Sequence, residues 1–91
     1  MKSILQSDKE CWFCHSPNVE LHHIYFGRNR KISDKMGFTV WLCPEHHRGT
    51  RGIHGMFGNI ADEYLKQLCQ EKFEETHSRE EFIKLIGRSY L

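Results

Sequence analysis

Two short half-sites, Cys11-x-x-Cys14 and Cys43-x-x-His46, restrict what this 91-residue chain can fold into more than any other feature. Each spacing lets a tight turn bring two ligands onto one ion, and thiolate with imidazole suits tetrahedral zinc. A chain this short buries a modest fraction of its surface and often needs a staple. A structural Zn²⁺ held by Cys11, Cys14, Cys43 and His46 is therefore expected, with His15 and His47 as close competitors for the fourth position. A closed four-ligand site leaves no room for substrate, so this ion would stabilise the fold rather than catalyse. Cys69 falls on the apolar face of a later helical pattern and reads as a core residue.

Paired cysteines are metal ligands more often than disulfides where the compartment is reducing. The Met1–Lys9 stretch lacks a long apolar run and carries Asp8, so no signal peptide is expected there. No window reaches the length of a membrane span. The expected location is cytoplasmic, with no membrane partner. Apolar residues make up 38% of the chain, enough for a compact domain.

No internal repeat, low-complexity tract or linker interrupts residues 1–91, which read as one domain of the α+β class. Its metal-bearing core spans about residues 11–58 and its helical part about 59–91. Val19–Ile24 alternates as a strand, with Val19, Leu21 and His23 on one face and Glu20, His22 and Ile24 on the other. Tyr25–Gly37 is glycine-containing and basic and reads as a loop. Phe38–Cys43, centred on Val40, Trp41 and Leu42, is a second strand. Pro44 opens a turn, and a short helix begins around Glu45. Farther on, Asn59 is placed to cap a helix on which Ile60, Tyr64, Leu65, Leu68, Cys69 and Phe73 recur. Ser78-Arg79-Glu80-Glu81 is a capping box for another helix. Phe82, Ile83, Leu85 and Ile86 form its apolar face and Gly87 is its stop. Both helices read as suppliers of core that the N-terminal half lacks.

Seven histidines are present, and His22, His23, His46, His47 and His54 crowd into one stretch. Adjacent histidines on a strand point to opposite faces. One of His22-His23 can therefore bind an ion while the other stays free, and His47 would sit on the helix beside that strand. His15 and His77 carry no motif and read as surface residues. The same stretch holds Arg28, Arg30, Lys31, Lys35, Arg48 and Arg51 against Asp34 and Glu45, whereas after Gly55 seven acidic residues outnumber five basic ones. Positive charge gathered around the histidines suits a polyanionic partner.

Leu21-His22-His23-Ile24, a basic loop, a strand ending Leu42-Cys43 and then His46-His47 resemble the HNH (ββα-metal) endonuclease motif. The resemblance implies a small zinc-stapled, treble-clef-like ββα-metal core followed by C-terminal helices. It implies His22 and His47 as ligands of a catalytic divalent ion (Mg²⁺, Mn²⁺ or similar) and His23 as general base. His54 matches, at a longer spacing, a further helix histidine of the bacteriocin nuclease branch and would be a third ligand. The middle Asn of the family has no counterpart before Leu42-Cys43, where Gly37 and Phe38 stand, and Asn29 comes too early. The run from His22 to Arg30-Lys31, and from Cys43 through Pro44-Glu45-His46-His47-Arg48-Gly49-Thr50, is most similar to small phage-encoded HNH proteins, including the recombination-enhancement, RecA-dependent nuclease group.

From that likeness follow the expected activity, metal-dependent hydrolysis of DNA phosphodiesters in a bacterial host cell, and the expected partners. These are DNA, held by Arg28, Arg30, Lys31 and Arg48, and a recombination or other phage protein as a candidate partner. The chain would work as a monomer or homodimer. The imidazole of His23 is the kind of group that can accept a proton from water. Two competing readings are a zinc module that binds DNA without cutting it and a zinc module that binds a protein. The second would expose an apolar patch, to which Trp12, Phe26 or Phe57 could belong.

Overall fold

The computed structural model describes residues 2–49, 52–55 and 58–91. Its centre is a two-stranded antiparallel sheet, β1 (Glu20–His23) and β2 (Thr39–Leu42), in which Glu20 faces Leu42, Leu21 faces Trp41, His22 faces Val40 and His23 faces Thr39. Since successive side chains alternate, His22, Val40 and Leu42 share the face that looks into the molecule, where all three are buried. Leu21, His23, Thr39 and Trp41 share the other face. The alternation expected for Val19–Ile24 holds, although the paired strands are shorter than the expected segments.

The segment between the strands is not the loop expected for Tyr25–Gly37. A 3-10 turn (Gly27–Asn29) leads into α1 (Arg30–Met36). Ser33 is buried beneath it, and its hydroxyl accepts from Tyr25 N and donates to Tyr25 O, at 3.1 and 2.6 Å. Gly37, at φ 74°, ends the helix in the left-handed region with its N–H on Ser33 O, a conformation that glycine adopts without a side-chain penalty. Asn29 is committed to the fold, its amide donating to Ile86 O at 3.0 Å.

After β2, Cys43 caps α2 (Pro44–Arg48), with Pro44 in the first turn, where its missing N–H costs nothing. The chain then doubles back. Ile53 N donates to His46 O and His54 N to His47 O, at 2.8 and 3.1 Å. The reversal is tight at Gly52, where a Cβ would come within 2.7 Å of Glu45 O and 2.8 Å of the His46 carbonyl carbon.

Two helices close the domain, α3 (Asn59–Phe73) and α4 (Arg79–Ile86). The cap of α3 is Gly58 rather than Asn59, and no side chain serves it. Two apolar stripes run along α3, and the core takes only one. Leu65, Cys69 and Phe73 are buried, while Ile60 and Tyr64 lie on the exposed side, as does Ile83 on α4. At the start of α4 the capping box is complete: Ser78 Oγ accepts from Glu81 N and the Glu81 carboxylate from Ser78 N. Gly87 ends the helix at φ 104°.

The core is an aromatic cluster that joins both parts. Tyr25 lies 5.5 Å from Phe38 and 5.4 Å from Phe82, edge to face, and Phe38 meets Phe73 at 5.6 Å. Such geometry suits aromatic quadrupoles. The Tyr25 hydroxyl is satisfied by Lys66 O at 2.6 Å, and fully buried Gln70 accepts from Tyr90 N and donates to Ser89 Oγ. The helices thus cover the hairpin face that would otherwise lie open. Among the described residues, no helix is long and apolar enough to cross a membrane.

Candidate metal centres and cleft

The two half-sites converge. Cys11 and Cys14 lie on the turn before β1, Cys43 at the end of β2 and His46 in the first turns of α2, so the β1–β2 pairing delivers them together. Cys14 Sγ lies 3.7 Å from Cys43 Sγ, and His46 Nδ1 lies 3.5 Å from Cys11 Sγ and 3.2 Å from Cys43 Sγ. Thiolates bound tetrahedrally at about 2.3 Å from zinc would stand roughly 3.8 Å apart, so the spacing fits one ion and far exceeds a disulfide bond. Burial alone would raise the Cys11 thiol. Backbone hydrogen bonds at Cys43, Cys14 and Phe13 outweigh it and bring the pKa down to about 6, favouring the thiolate a metal requires. These four residues could hold a metal ion. Of the competitors, His15 is on the surface beside Glu10 at 3.3 Å, and His47 belongs elsewhere. Cys69 is a core residue, fully buried, with its thiol pushed up to about 12 by that burial.

His22, His47 and His54 form a second group that could hold an ion, their ligand nitrogens all within 4.8 Å of one another. The rings stand 5.0 to 5.3 Å apart. His22 comes from the inner face of β1, His47 from α2, and His54 from the reversed loop rather than from a helix. That route explains the long spacing between His47 and His54.

His22 Nε2 is buried and has no hydrogen-bond partner among the described residues. An unsatisfied buried polar atom costs about 1–3 kcal/mol, and a metal ion would remove that cost. Burial first, then the neighbouring His47 and His54, hold the His22 pKa down at about 3, so the imidazole is neutral as a ligand must be. His54 is lowered as well, chiefly by burial and by His47, with Asp62 opposing.

His47 is oriented from behind. Its Nδ1 lies 2.7 Å from Glu20 Oε1. An ionised carboxylate only accepts, so Nδ1 carries the proton and Nε2 is left for a ligand. Arg48 holds Glu20 in turn, Nε to Oε1 at 3.0 Å and the terminal nitrogen to Oε2 at 2.5 Å. Arg48, expected to hold DNA, is therefore paired within the protein.

His23 occupies the opposite face from His22, yet both line one cleft of about 190 Å³ together with Leu21, Phe26, Arg30, His47 and His54. His23 Nε2 lies 3.4 Å from Asp34 Oδ1, a long contact that leaves Nδ1 as the acceptor. Arg30 and Lys31 stand beside it, in the next depression. The guanidinium of Arg28 lies near Gly87, 3.6 Å from where a Cβ on that glycine would stand. Thr50, Arg51 and Phe57 lie outside the described residues. His77 is on the surface, stacked on Phe73 at 4.1 Å.

Two residues that sequence reasoning missed reach this centre from α3. Lys66, almost fully buried, pairs with Asp62 at 2.8 Å and lies 4.2 Å over the Phe26 ring. Phe26 in turn meets His54 at 5.3 Å. Asp62 Oδ1 is buried without a partner among the described residues. The i,i+4 spacing of Asp62 and Lys66 was visible, but it marks an ordinary surface pair as readily as a buried one. Compared with family models, curated proteins and solved structures, the chain matches none of them.

Proposed function

We propose that this chain is a metal-dependent DNA endonuclease of the HNH type, its β1–β2 hairpin and α2 forming a ββα-metal core stapled by zinc. The observation that carries the reading is the three-histidine group, whose most buried member has a ring nitrogen without a partner among the described residues, opening on the cleft that also holds His23 and Arg30. A binding module needs neither that group nor a free imidazole beside it.

The knuckle residues Cys11, Cys14, Cys43 and His46 would hold Zn²⁺ as a staple. His22, His47 and His54 would hold a catalytic divalent ion, which supplies Lewis-acid polarisation of the scissile phosphate and charge stabilisation of the leaving oxygen. His23 accepts the proton of the attacking water at Nδ1, while Asp34 holds the Nε2 proton and favours the resulting imidazolium. The water oxygen bonds to phosphorus, the phosphorus–oxygen bond to the leaving sugar breaks, and that oxygen takes its proton from solvent. Arg30 and Lys31 bind flanking phosphates, contacts that position the strand without reading sequence. Glu20 and Arg48 keep the His47 ring in place.

A second reading, a zinc module that binds a protein partner, is favoured by one observation: Ile60 and Tyr64 on α3 are exposed, and Phe13 lies 6.4 Å from Tyr64. One experiment separates the two. Supercoiled plasmid is incubated with the protein and with Mg²⁺, Mn²⁺ or EDTA, beside a His23→Ala variant whose zinc content and melting are checked. Nicking that needs the ion and is lost in the variant supports the endonuclease. A zinc-loaded, folded protein that cuts no form of DNA with either ion rejects it.

A further inference from the structure

The cleft of the three histidines does not end at His23. It shares His23 and Arg30 with a depression of about 320 Å³ whose other walls are Lys31, Asp34 and Lys35. That depression shares Asp34 with a groove of about 650 Å³ along the outer face of the hairpin, between the N-terminal segment and β2. Leu21 lines both the first cleft and the last groove. The three depressions adjoin, each sharing lining residues with the next, and together they lead from the histidines past His23 to Trp41.

Charge along the path is one-sided. Arg30, Lys31 and Lys35 border its middle and Lys2 and Lys9 its far end, while Asp34, within reach of His23, is the one carboxylate among the described residues of these walls. The floor of the last groove is apolar, with Leu21 more than a third exposed and the Trp41 ring under Lys9 Nζ at 4.8 Å. Cations at the rim and an apolar, aromatic floor are what an unpaired strand needs, phosphates outside and bases within. A duplex keeps its bases stacked inside and would leave Leu21 and Trp41 uncovered.

We propose that this outer face of the hairpin is a tract for single-stranded nucleic acid, so that the strand cut at His23 continues unpaired toward Lys9 and Trp41. The proposal rests on the nuclease reading and names its substrate class: DNA with a single-stranded segment beside the cut.

The test is fluorescence anisotropy of a labelled single strand, and of the same sequence as duplex, without added divalent ion. The proteins compared are wild type, Arg30→Ala and a Lys9→Gln/Lys35→Gln double variant, each checked for zinc content and melting. Wild type should bind the single strand more tightly than the duplex. The double variant should weaken that binding about 5-fold or more, and lower the slope of log affinity against log salt by about 1.4, two phosphate contacts at roughly 0.7 each for a single strand. Unchanged affinity and slope in the double variant, with binding lost in Arg30→Ala, would overturn the tract and leave the nuclease site standing. Tighter binding of duplex would also overturn it. Wild type that binds neither form here, and nicks neither when Mg²⁺ or Mn²⁺ is added, would remove the nuclease reading, and the tract with it.

Discussion

Glu20 and His47 face each other across the junction of β1 and α2 at 2.7 Å, and Arg48 grips the same carboxylate from its other side. The pair determines which nitrogen of His47 is offered to the cleft. Partners of this outer kind typically alter metal affinity 10–100-fold when removed. Glu20→Gln should therefore weaken binding of the ion at His22, His47 and His54 by about that factor while leaving the knuckle zinc in place. Cobalt titration followed by absorption distinguishes the centres, because only one carries thiolates. Equal affinity in variant and wild type would show that Glu20 does not position His47.

His22 presents the opposite trade. Its buried Nε2 has no partner among the described residues, so in the absence of an ion the ring carries a cost that none of them offsets. Replacing both halves of such an interaction with apolar atoms can be neutral or stabilising. His22→Leu should melt no lower than wild type without added ion, and should lose the rise in melting temperature that added Zn²⁺ or Mn²⁺ gives wild type. A large loss of stability in the ion-free variant would instead make His22 a satisfied core residue.

Much of this arrangement was legible from the chain. The convergence of Cys11, Cys14, Cys43 and His46 follows from their spacing, and the capping box at Ser78 and the stop at Gly87 are local chemistry that neighbours need not decide. The α1 helix was hidden because its apolar signal is only Ile32 and Met36, set among Arg30, Lys31, Asp34 and Lys35, and because the buried Ser33 reads as a loop residue until Tyr25 is seen to bond it. Helical periodicity showed that α3 is amphipathic but could not choose between the stripe of Leu65, Cys69 and Phe73 and that of Ile60 and Tyr64; packing against Phe38 and Phe82 chose. Asp62 and Lys66 were beyond reach, since only the tertiary fold carries α3 beneath Phe26 and His54.

The knuckle should be inseparable from folding. Structural zinc binding supplies folding free energy directly, and the ion would tie the Cys11–Cys14 turn, otherwise held by Cys11 N to Ser16 O and Trp12 N to Trp41 O at 2.9 Å each, to Cys43 and His46. Strong chelation, or Cys11→Ser, should abolish the cooperative melting transition. Cys69→Ala, by contrast, should retain one knuckle zinc and cost about 1 kcal/mol, the burial value of a methylene-sized group. Zinc stoichiometry measured beside thermal unfolding checks both variants. Loss of zinc on changing Cys69 would contradict the assignment.

Acid should expose the role of the C-terminal helices. The carboxyl of Glu81 is held below its ordinary value first by the Ser78 backbone, and that of Glu74 first by Gln70 and then by Arg79. A depressed folded pKa contributes stability that is fully present above the ordinary carboxylate value and is lost as pH falls through the folded value. Melting temperature should therefore decline as pH drops from the ordinary carboxylate range downward, and less steeply in a Glu74→Gln/Glu81→Gln variant. An identical slope would show that neither carboxylate titrates differently on folding. Ser78→Ala, which removes the cap itself, should cost about 1 kcal/mol at neutral pH.

Gly52 tests how His54 reaches the cleft. A methyl group there would meet Glu45 O and the backbone of His46 and His47 at 2.7 to 2.8 Å, none of which is a flexible side-chain end. Gly52→Ala should push the reversed segment away from α2, break the His54 N to His47 O hydrogen bond and withdraw the third imidazole. The knuckle ligands all precede this point, so its zinc should remain bound while affinity for the second ion falls about 10-fold or more, the scale on which metal sites respond to misplaced support. His54→Ala supplies the comparison. If Gly52→Ala binds the second ion as wild type does while His54→Ala does not, the loop can relax around the methyl group, and the tight packing at Gly52 is not what places His54.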